Sequence, residues 1–450
     1  MKRIALHNLG CKVNGYEMDV MQQKLKEKGY EIVQFDERAD IYIINTCTVT
    51  NIADQKSRQM LHRAKKQNPE SVVVAVGCYV QTGEDVINKD AAIDLVIGNN
   101  RKKDIVEILD EYLAAKENDA LSPADKTLKN KTVIDINHTD EYEEMQLKST
   151  RENTRAYVKI QDGCNQFCSY CIIPYARGRA RSRREEDIMT EVSGIATQGY
   201  KEIVLTGIHI SSYGIDRGGR ELLQLLKKLN ETEGIERIRL GSLEPGIITE
   251  DFASEISGLS RICPHFHLSL QSGCDETLRR MNRHYTTREY LEKVEILRKH
   301  FDNPAITTDV IVGFPDETEE EFAYTQDFLQ KVNFYEMHVF KYSKRQGTRA
   351  ADMGNQVPDT VKAQRSNRLI QLSDHMSREY RTSMLGKSVE VLFEDSKVIE
   401  GRKMQLGHTR EYIKIARETH EDLNNNIIMG KITEFFTDDI MIINSRDEYE

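Results

Sequence analysis

The sequence predicts an α/β chain in three parts: an N-terminal doubly wound parallel-sheet domain, a central partial (β/α)6 barrel and a small C-terminal β-barrel. Three observations carry this. At 450 residues the chain is too long for one ordinary core, and at ~150 residues per domain about three domains are expected. Short apolar runs alternate with helical patterns in the first quarter of the chain and again from Arg155, as in parallel strands joined by helical crossovers. Near the end this alternation gives way to short Val-, Ile-, Tyr- and Phe-rich runs punctuated by Gly401, Gly407 and Gly430, as in a small barrel.

In order, residues 3–9, 31–35, 41–46 and 71–77 read as strands, and 16–28 and 50–67 as helices, the first closed by Gly29. These make a domain over 1–114. Residues 115–149 are mostly Lys, Asp, Glu, Asn and Ser and read as a linker, with one strand at 133–136. Strands at 156–161, 202–206, 237–240, 265–270, 305–312 and 335–340, with helices between them such as 184–198 and 287–299, give the six-unit barrel over 150–380. A long helix over 359–384 leads to strands at 388–394, 410–416, 427–436 and 438–443 in a domain over 383–447.

Composition excludes several classes. Hydrophobic residues at 39% and charged residues at 30% describe a globular chain, not a collagen-like or disordered one. The longest apolar run spans about ten residues (71–80), half of what a membrane-spanning helix needs. No secretory signal is visible at the start, so a cytoplasmic location with no membrane partner is expected. A net charge of −10 argues against indiscriminate coating of nucleic acid but allows a local basic patch.

The eight cysteines are too sparse for a disulfide scaffold, and in a reducing compartment clustered thiols point to metal or catalysis. The segment Asp162-Gly163-Cys164-Asn165-Gln166-Phe167-Cys168-Ser169-Tyr170-Cys171 places three cysteines where one loop can close them on a single ion or cluster. Structural zinc wants four protein ligands, and no fourth Cys or His of that kind lies nearby. A [4Fe–4S] cube held by three thiolates keeps one iron open for a ligand. Unconnected core cysteines and structural zinc are the alternatives. Cys11, Cys47 and Cys78 show no common spacing, yet each directly follows a predicted strand. In a parallel sheet the carboxyl ends of the strands share one edge, where ligands bind, so the three thiols can converge; three separately buried cysteines are the alternative. Cys263 and Cys274 have no cluster spacing and read as core residues.

The Cys164/Cys168/Cys171 pattern after a first barrel strand resembles the signature of radical S-adenosylmethionine enzymes. That resemblance implies a cluster whose open iron is chelated by S-adenosylmethionine and whose electron yields a 5′-deoxyadenosyl radical. Leu9-Gly10-Cys11-Lys12-Val13-Asn14 and Asn45-Thr46-Cys47-Thr48-Val49-Thr50 are similar to strings of the methylthiotransferases within that class. This second resemblance covers nearly the whole chain. It implies a second [4Fe–4S] cluster on Cys11, Cys47 and Cys78 that carries the sulfur to be inserted, and a C-terminal RNA-binding barrel of the TRAM type. It further implies a tRNA anticodon stem-loop as partner, with a flavodoxin- or ferredoxin-type electron donor and a sulfur donor.

Within that family, Thr206-Gly207-Ile208-His209-Ile210-Ser211-Ser212-Tyr213-Gly214 resembles the group acting on carbon 2 of N6-threonylcarbamoyladenosine at tRNA position 37. Isopentenyladenosine in tRNA and an aspartate of a ribosomal protein are the substrates of the other groups; a non-catalytic metal-containing RNA-binding protein is the distant alternative. For S-adenosylmethionine the resemblance implies contacts from Thr206, Gly207, Glu244, Gln271, Asp309 and Gly313, with Ser269 near the ribose. Thr206-Gly207 stands where many relatives have Gly-Gly-Glu, so Glu244 is expected to meet the methionyl amino group. Five arginines within residues 177–184 are read as phosphate contacts near the cluster mouth, as are Arg279, Arg280, Arg283, His284 and Arg288. In the acidic C-terminal domain, Arg402, Lys403, His408, Arg410, Tyr412 and Lys414 are the RNA candidates.

Overall fold

A computed structural model describes residues 2–83, 87, 89–118, 132–148 and 154–445. Apolar runs of Val and Ile build the first sheet: β1 Arg3–Asn8, β2 Glu31–Val33, β3 Ile41–Thr46, β4 Val72–Gly77 and β5 Leu95–Ile97. All pairs are parallel in the order β2-β1-β3-β4-β5. Every residue of β3 and β4 is buried, as expected for central strands covered on both faces. Helices α1 Lys12–Glu27, α2 Asn51–Gln67 and α3 Cys78–Thr82 lie in the crossovers, and α4 Ile105–Glu117 follows the last strand. Strand β5 escapes sequence reading because three residues carry no period.

The six predicted strands of the second domain are present as β6 Arg155–Lys159, β9 Glu202–Thr206, β10 Arg237–Leu240, β11 His265–His267, β12 Ala305–Val312 and β13 Glu336–Lys341. A short hairpin, β7 Gln161–Asp162 with β8 Arg181–Ser182, follows β6. The six run parallel as two triplets, joined by single bridges such as Leu243 to Leu268. Helices α5 Ile173–Arg177, α6 Glu185–Thr197, α7 Leu222–Leu229, α8 Glu250–Ser257, α9 Asp275–Arg280, α10 Thr287–His300 and α11 Glu319–Val332 lie between the strands, and α12 Asp359–Ser383 follows. Capping boxes start α10 and α11, with Thr286 and Glu289 at one and Thr318 and Glu321 at the other. The last domain is a closed barrel of β14 Ser388–Ile399, β15 Arg402–Thr409, β16 Lys414–Glu418, β17 Ile427–Phe435 and β18 Ile440–Ser445, ordered β14-β15-β16-β18-β17. Strand β15 lies where no strand is predicted, since its charged start and Gly407 hide the alternation.

Three expectations are corrected. The segment 133–136 forms no strand: its backbone is taken singly, Thr132 O accepting from Gly98 N and Ile134 O from Gln81 Nε2, and a short 3-10 turn follows at Ile136–His138. Of the predicted linker, residues 132–148 run against the folded body and bury Ile136, Glu143, Met145 and Leu147. The arginine run is not a surface patch, because Arg177, Arg181 and Arg183 are fully buried.

Arg177 enters a charge cluster between the first two domains. Glu17 of α1 receives Arg177 Nη1 at 2.9 Å, Lys159 Nζ of β6 at 2.7 Å and Lys102 Nζ. Asp162 receives Lys159 at 2.6 Å and Arg177 at 3.1 Å. Burial alone would raise the Glu17 carboxyl; Arg177, then Lys102 and Lys159, outweigh it and hold it well below the usual range. Arg183 pairs with Glu191 at 2.7 Å and with Glu144 at 2.6 Å. The C-terminal barrel docks the same way: Arg237 meets Glu390 at 2.8 Å, and Arg155 donates to Tyr412 Oη at 2.6 Å. Arg410 donates to Ser260 O and Ile262 O, and the Tyr412 ring lies against the Arg155 and Arg239 guanidinium groups and stacks on His408. His408, Arg410 and Tyr412 are therefore spent on the interface, while Arg402 and Lys403 stay exposed.

Glu17→Gln removes the charge that three buried cations share. The variant is expected to lose about 3 kcal/mol, the scale of breaking one side of a buried pair, read by denaturant unfolding at pH 7. Because folding depresses the Glu17 and Asp162 carboxyls, their contribution is present above about pH 4 and is lost as pH falls below it, so the gap between variant and parent should narrow in acid.

Candidate active site

The two cysteine triplets are built differently. Cys11 is the N-cap residue of α1, Cys47 follows β3 directly and Cys78 opens α3 after β4, so all three stand at the carboxyl edge of the sheet. Gly10 and Gly77 permit the approach. At Gly10, with φ +105°, a Cβ would lie 3.0 Å from Cys47 Cβ; at Gly77, with φ +98°, it would lie 2.5 Å from Asn45 Oδ1. Burial pushes the Cys47 thiol up to about 11, with the neighbouring Cys78 and Cys11 sulfurs adding to the shift.

Asn14, three residues past Cys11, ties these turns together. Its Nδ2 donates to Leu9 O at 2.7 Å and to Thr46 O at 3.1 Å, and its own carbonyl accepts from Asn45 Nδ2 at 2.9 Å. Its Oδ1 accepts from Arg177 Nη2 at 2.7 Å. One amide thus fixes the approaches to Cys11 and Cys47 while a buried arginine of the second domain holds that amide in place. Asn99 Nδ2 reaches Cys78 Sγ at 3.5 Å and the Ala176 carbonyl at 2.7 Å, so Cys78 too is held against the second domain.

Cys164, Cys168 and Cys171 lie on the loop between the β7 strand and α5. Its backbone is stapled to the turn after α9 by Ser169 N to Met281 O at 2.9 Å and Asn282 Nδ2 to Phe167 O at 3.1 Å. All three line a cavity of about 320 Å³. Burial raises the Cys164 thiol to about 11 and the Cys171 thiol to about 12. Their opposing charge is Arg283, whose Nη1 donates to Cys168 Sγ at 3.1 Å while Nη2 reaches the Glu244 oxygens at 3.0 and 2.8 Å. Burial would raise Glu244, but His209, whose Nε2 lies 3.6 Å from Oε2, and the charge of Arg283 hold it below the usual carboxylate range.

Glu244, Ser269, Gln271 and Asp309 share the wall of this cavity with the cysteines, as does His209. Thr206, Gly207 and Gly313 do not line it. Thr206 is buried at the end of β9, and Gly207 packs against Gln161. Gly313 makes a turn in which its N–H donates to Glu317 Oε2 at 2.6 Å. Cys263 and Cys274 are buried away from the wall. Arg283, which the sequence suggests as a phosphate contact, is a buried member of the site; its position among Arg279, Arg280 and Arg288 gives no sign of this.

The first domain reaches the same cavity. Val49 and Thr50, directly after Cys47, form part of its wall. Arg345 of the second domain clamps this segment, Nη2 donating to Thr48 Oγ1 and Asp54 Oδ2 at 2.7 Å and Nη1 to Asn51 Oδ1 at 2.6 Å. The free thiols, their soft-metal chemistry and a guanidinium poised on one sulfur fit a cubane cluster at Cys164, Cys168 and Cys171.

Asn14→Ala should release both cysteine turns and strand Arg177. With a second cluster on Cys11, Cys47 and Cys78, as the resemblance implies, anaerobic iron analysis is expected to fall from about eight to about four atoms per chain, with 5′-deoxyadenosine release on reduction retained.

Two family models match: Uncharacterized protein family UPF0004 over residues 3–98 and the Radical SAM superfamily over residues 158–329. The threonylcarbamoyladenosine tRNA methylthiotransferase MtaB of Bacillus subtilis (strain 168) is 41% identical over 434 residues, covering 96% of this chain and 94% of the relative. The protein of that name from Aquifex aeolicus (strain VF5) is 39% identical, covering 94% and 98%. A tRNA-2-methylthio-N(6)-dimethylallyladenosine synthase of Caldicellulosiruptor saccharolyticus is also 39% identical, covering 87% and 83%. Among solved structures, the radical S-adenosylmethionine methyltransferase TsrM of Kitasatospora setae shares the fold with TM-score 0.53 at 15% identity, over 76% of this chain and 73% of that one. With its cysteine loop, its shared cavity and 39–41% identity to the two MtaB relatives over nearly its whole length, the chain belongs to the tRNA methylthiotransferase family of radical S-adenosylmethionine enzymes.

Proposed function

We propose that this protein methylthiolates carbon 2 of N6-threonylcarbamoyladenosine at position 37, beside the tRNA anticodon. The observation that carries the reading is the single cavity walled by Cys164, Cys168 and Cys171 from one domain and by the segment after Cys47 from the other. Inserting sulfur at an unactivated carbon requires a radical source and a sulfur carrier to act on one atom, which is a positioning task. When bound, the cofactors supply what side chains lack: S-adenosylmethionine and a [4Fe–4S] cluster at Cys164, Cys168 and Cys171 give the adenosyl radical, and a second cluster at Cys11, Cys47 and Cys78 carries the sulfur.

The chain's own residues bind and orient. In this reading Glu244, kept ionised by Arg283 and His209, receives the methionyl amino group. Arg283, spanning Glu244 and the Cys168 sulfur, fixes the carboxylate relative to the cysteine loop. Ser269, Gln271 and Asp309 line the adenosyl end. Thr206, Gly207 and Gly313 act one layer back, setting the strand ends. The Arg345 clamp and the Glu17 cluster hold the two domains at one separation and keep water from between them. The C-terminal barrel serves as a TRAM-type RNA module through its exposed Arg402 and Lys403 and the less exposed Lys414. A flavodoxin- or ferredoxin-type donor supplies electrons, and a separate donor renews the sulfur.

The choice of threonylcarbamoyladenosine over dimethylallyladenosine rests on the Thr206–Gly214 string and on the two relatives named for it. Mass spectrometry of bulk tRNA nucleosides from cells lacking the protein should show loss of the 2-methylthio-threonylcarbamoyl nucleoside and gain of its unthiolated parent. Loss of the methylthio-dimethylallyl nucleoside instead would reassign the substrate. Cys164→Ala should abolish 5′-deoxyadenosine release on reduction.

A further inference from the structure

At the mouth of the cavity the chain exposes apolar surface that folding does not require. Along β13 the side chains alternate, so Val339 packs on the barrel's outer core while Phe340 turns to the cavity wall, 47% exposed. Val49, on the same wall, is 49% exposed, and Ile52 in the first turn of α2 is 61% exposed. Val49 and Phe340 thus bring two domains to one wall, and Ile52 follows Asn51, whose N donates to Ser343 Oγ at 3.0 Å and whose Oδ1 accepts from Arg345. An exposed patch beside a functional cavity marks a binding surface.

Charge indicates what covers it. Residues 340–349 carry Lys341, Lys344, Arg345 and Arg349 and no acidic residue, in a chain of net charge −10. Arg345 is used in the clamp, whereas Lys341, Lys344 and Arg349 are exposed and none is ion-paired among the described residues. An aromatic ring flanked by unpaired cations suits stacked bases on a phosphate backbone rather than a lipid or an acidic peptide. A cavity of about 320 Å³ admits a single unstacked group and not a paired helix.

We propose that Phe340, with Val49 and Ile52 beside it, is the platform on which unpaired bases of the RNA loop stack as the target nucleoside enters the cavity, with Lys341 and Lys344 holding the flanking phosphates. This rests on the tRNA reading given above and adds the surface that separates loop from stem. It also assigns the platform to both domains, which the Arg345 contacts hold together.

The test is anaerobic binding of a fluorescent anticodon stem-loop and of a paired RNA of equal length to the reconstituted enzyme. Phe340→Ala is expected to weaken stem-loop binding about tenfold, the scale of losing one stacked base, and to leave duplex binding unchanged. Phe340→Trp should restore the loop preference. Lys344→Glu should weaken binding and flatten its salt dependence. Equal loss on loop and duplex, or no loss in Phe340→Ala, overturns the platform. So does an equal loss of S-adenosylmethionine affinity measured by calorimetry, since Phe340 would then serve the cofactor. If the parent enzyme binds neither RNA, the tRNA reading falls and the platform with it.

Discussion

Glu17 is a single carboxylate with no access to water, and three cations from two domains converge on it. Lys102 comes from the first domain, Lys159 and Arg177 from the second. Transferring such ions from water is costly, and Asp162 and Asn14 offset part of that cost by taking further donors of Lys159 and Arg177. The cluster therefore permits essentially one docking of α1 against β6. Where the first domain sits over the barrel, and where its cysteine edge faces, follow from that constraint.

The constraint reaches the chemistry through Arg177. The guanidinium that neutralises Glu17 and Asp162 also donates to Asn14, and the Asn14 amide binds the carbonyls preceding Cys11 and Cys47. A second clamp, Arg345, repeats the logic on the other side of Cys47 by holding Thr48, Asn51 and Asp54. Between these two arginines the Cys47 segment has little freedom, and its next residues, Val49 and Thr50, become part of the barrel's cavity. Arg283 plays the corresponding part for Cys168 and Glu244. Each arginine suits its place because a planar fork can serve two partners at once, which a lysine ammonium does less specifically.

Arginine is also where sequence and structure part most clearly. A run of five arginines in eight residues has the composition of a phosphate-binding strip, yet Arg177, Arg181 and Arg183 are buried and only Arg179 and Arg184 are exposed. Composition reports charge but not the partner that neutralises it. Those partners, Glu17, Glu144, Asp162 and Glu191, lie up to 160 residues away for Arg177 and Glu17. The same holds for Arg410 and Tyr412, which close the interface with the C-terminal barrel rather than face solvent.

What the sequence determined by itself was local. The Val- and Ile-rich runs set the strands, the Thr-x-x-Glu boxes set helix starts, and the spacing of Cys164, Cys168 and Cys171 set one metal-ready loop, because each depends on residues within a few turns of one another. The cysteines at three strand ends were legible as a group only because parallel strands must present one common edge. Tertiary structure alone decided that the segment after Cys47 forms part of the barrel's cavity, that Arg283 lines that cavity while Asn14 fixes the turns at Cys11 and Cys47, and that Thr206, Gly207 and Gly313 stand behind its wall. Those outcomes turn on which distant carboxylate meets which buried cation, a pairing that desolvation makes obligatory in the folded chain but that leaves no periodic trace along it.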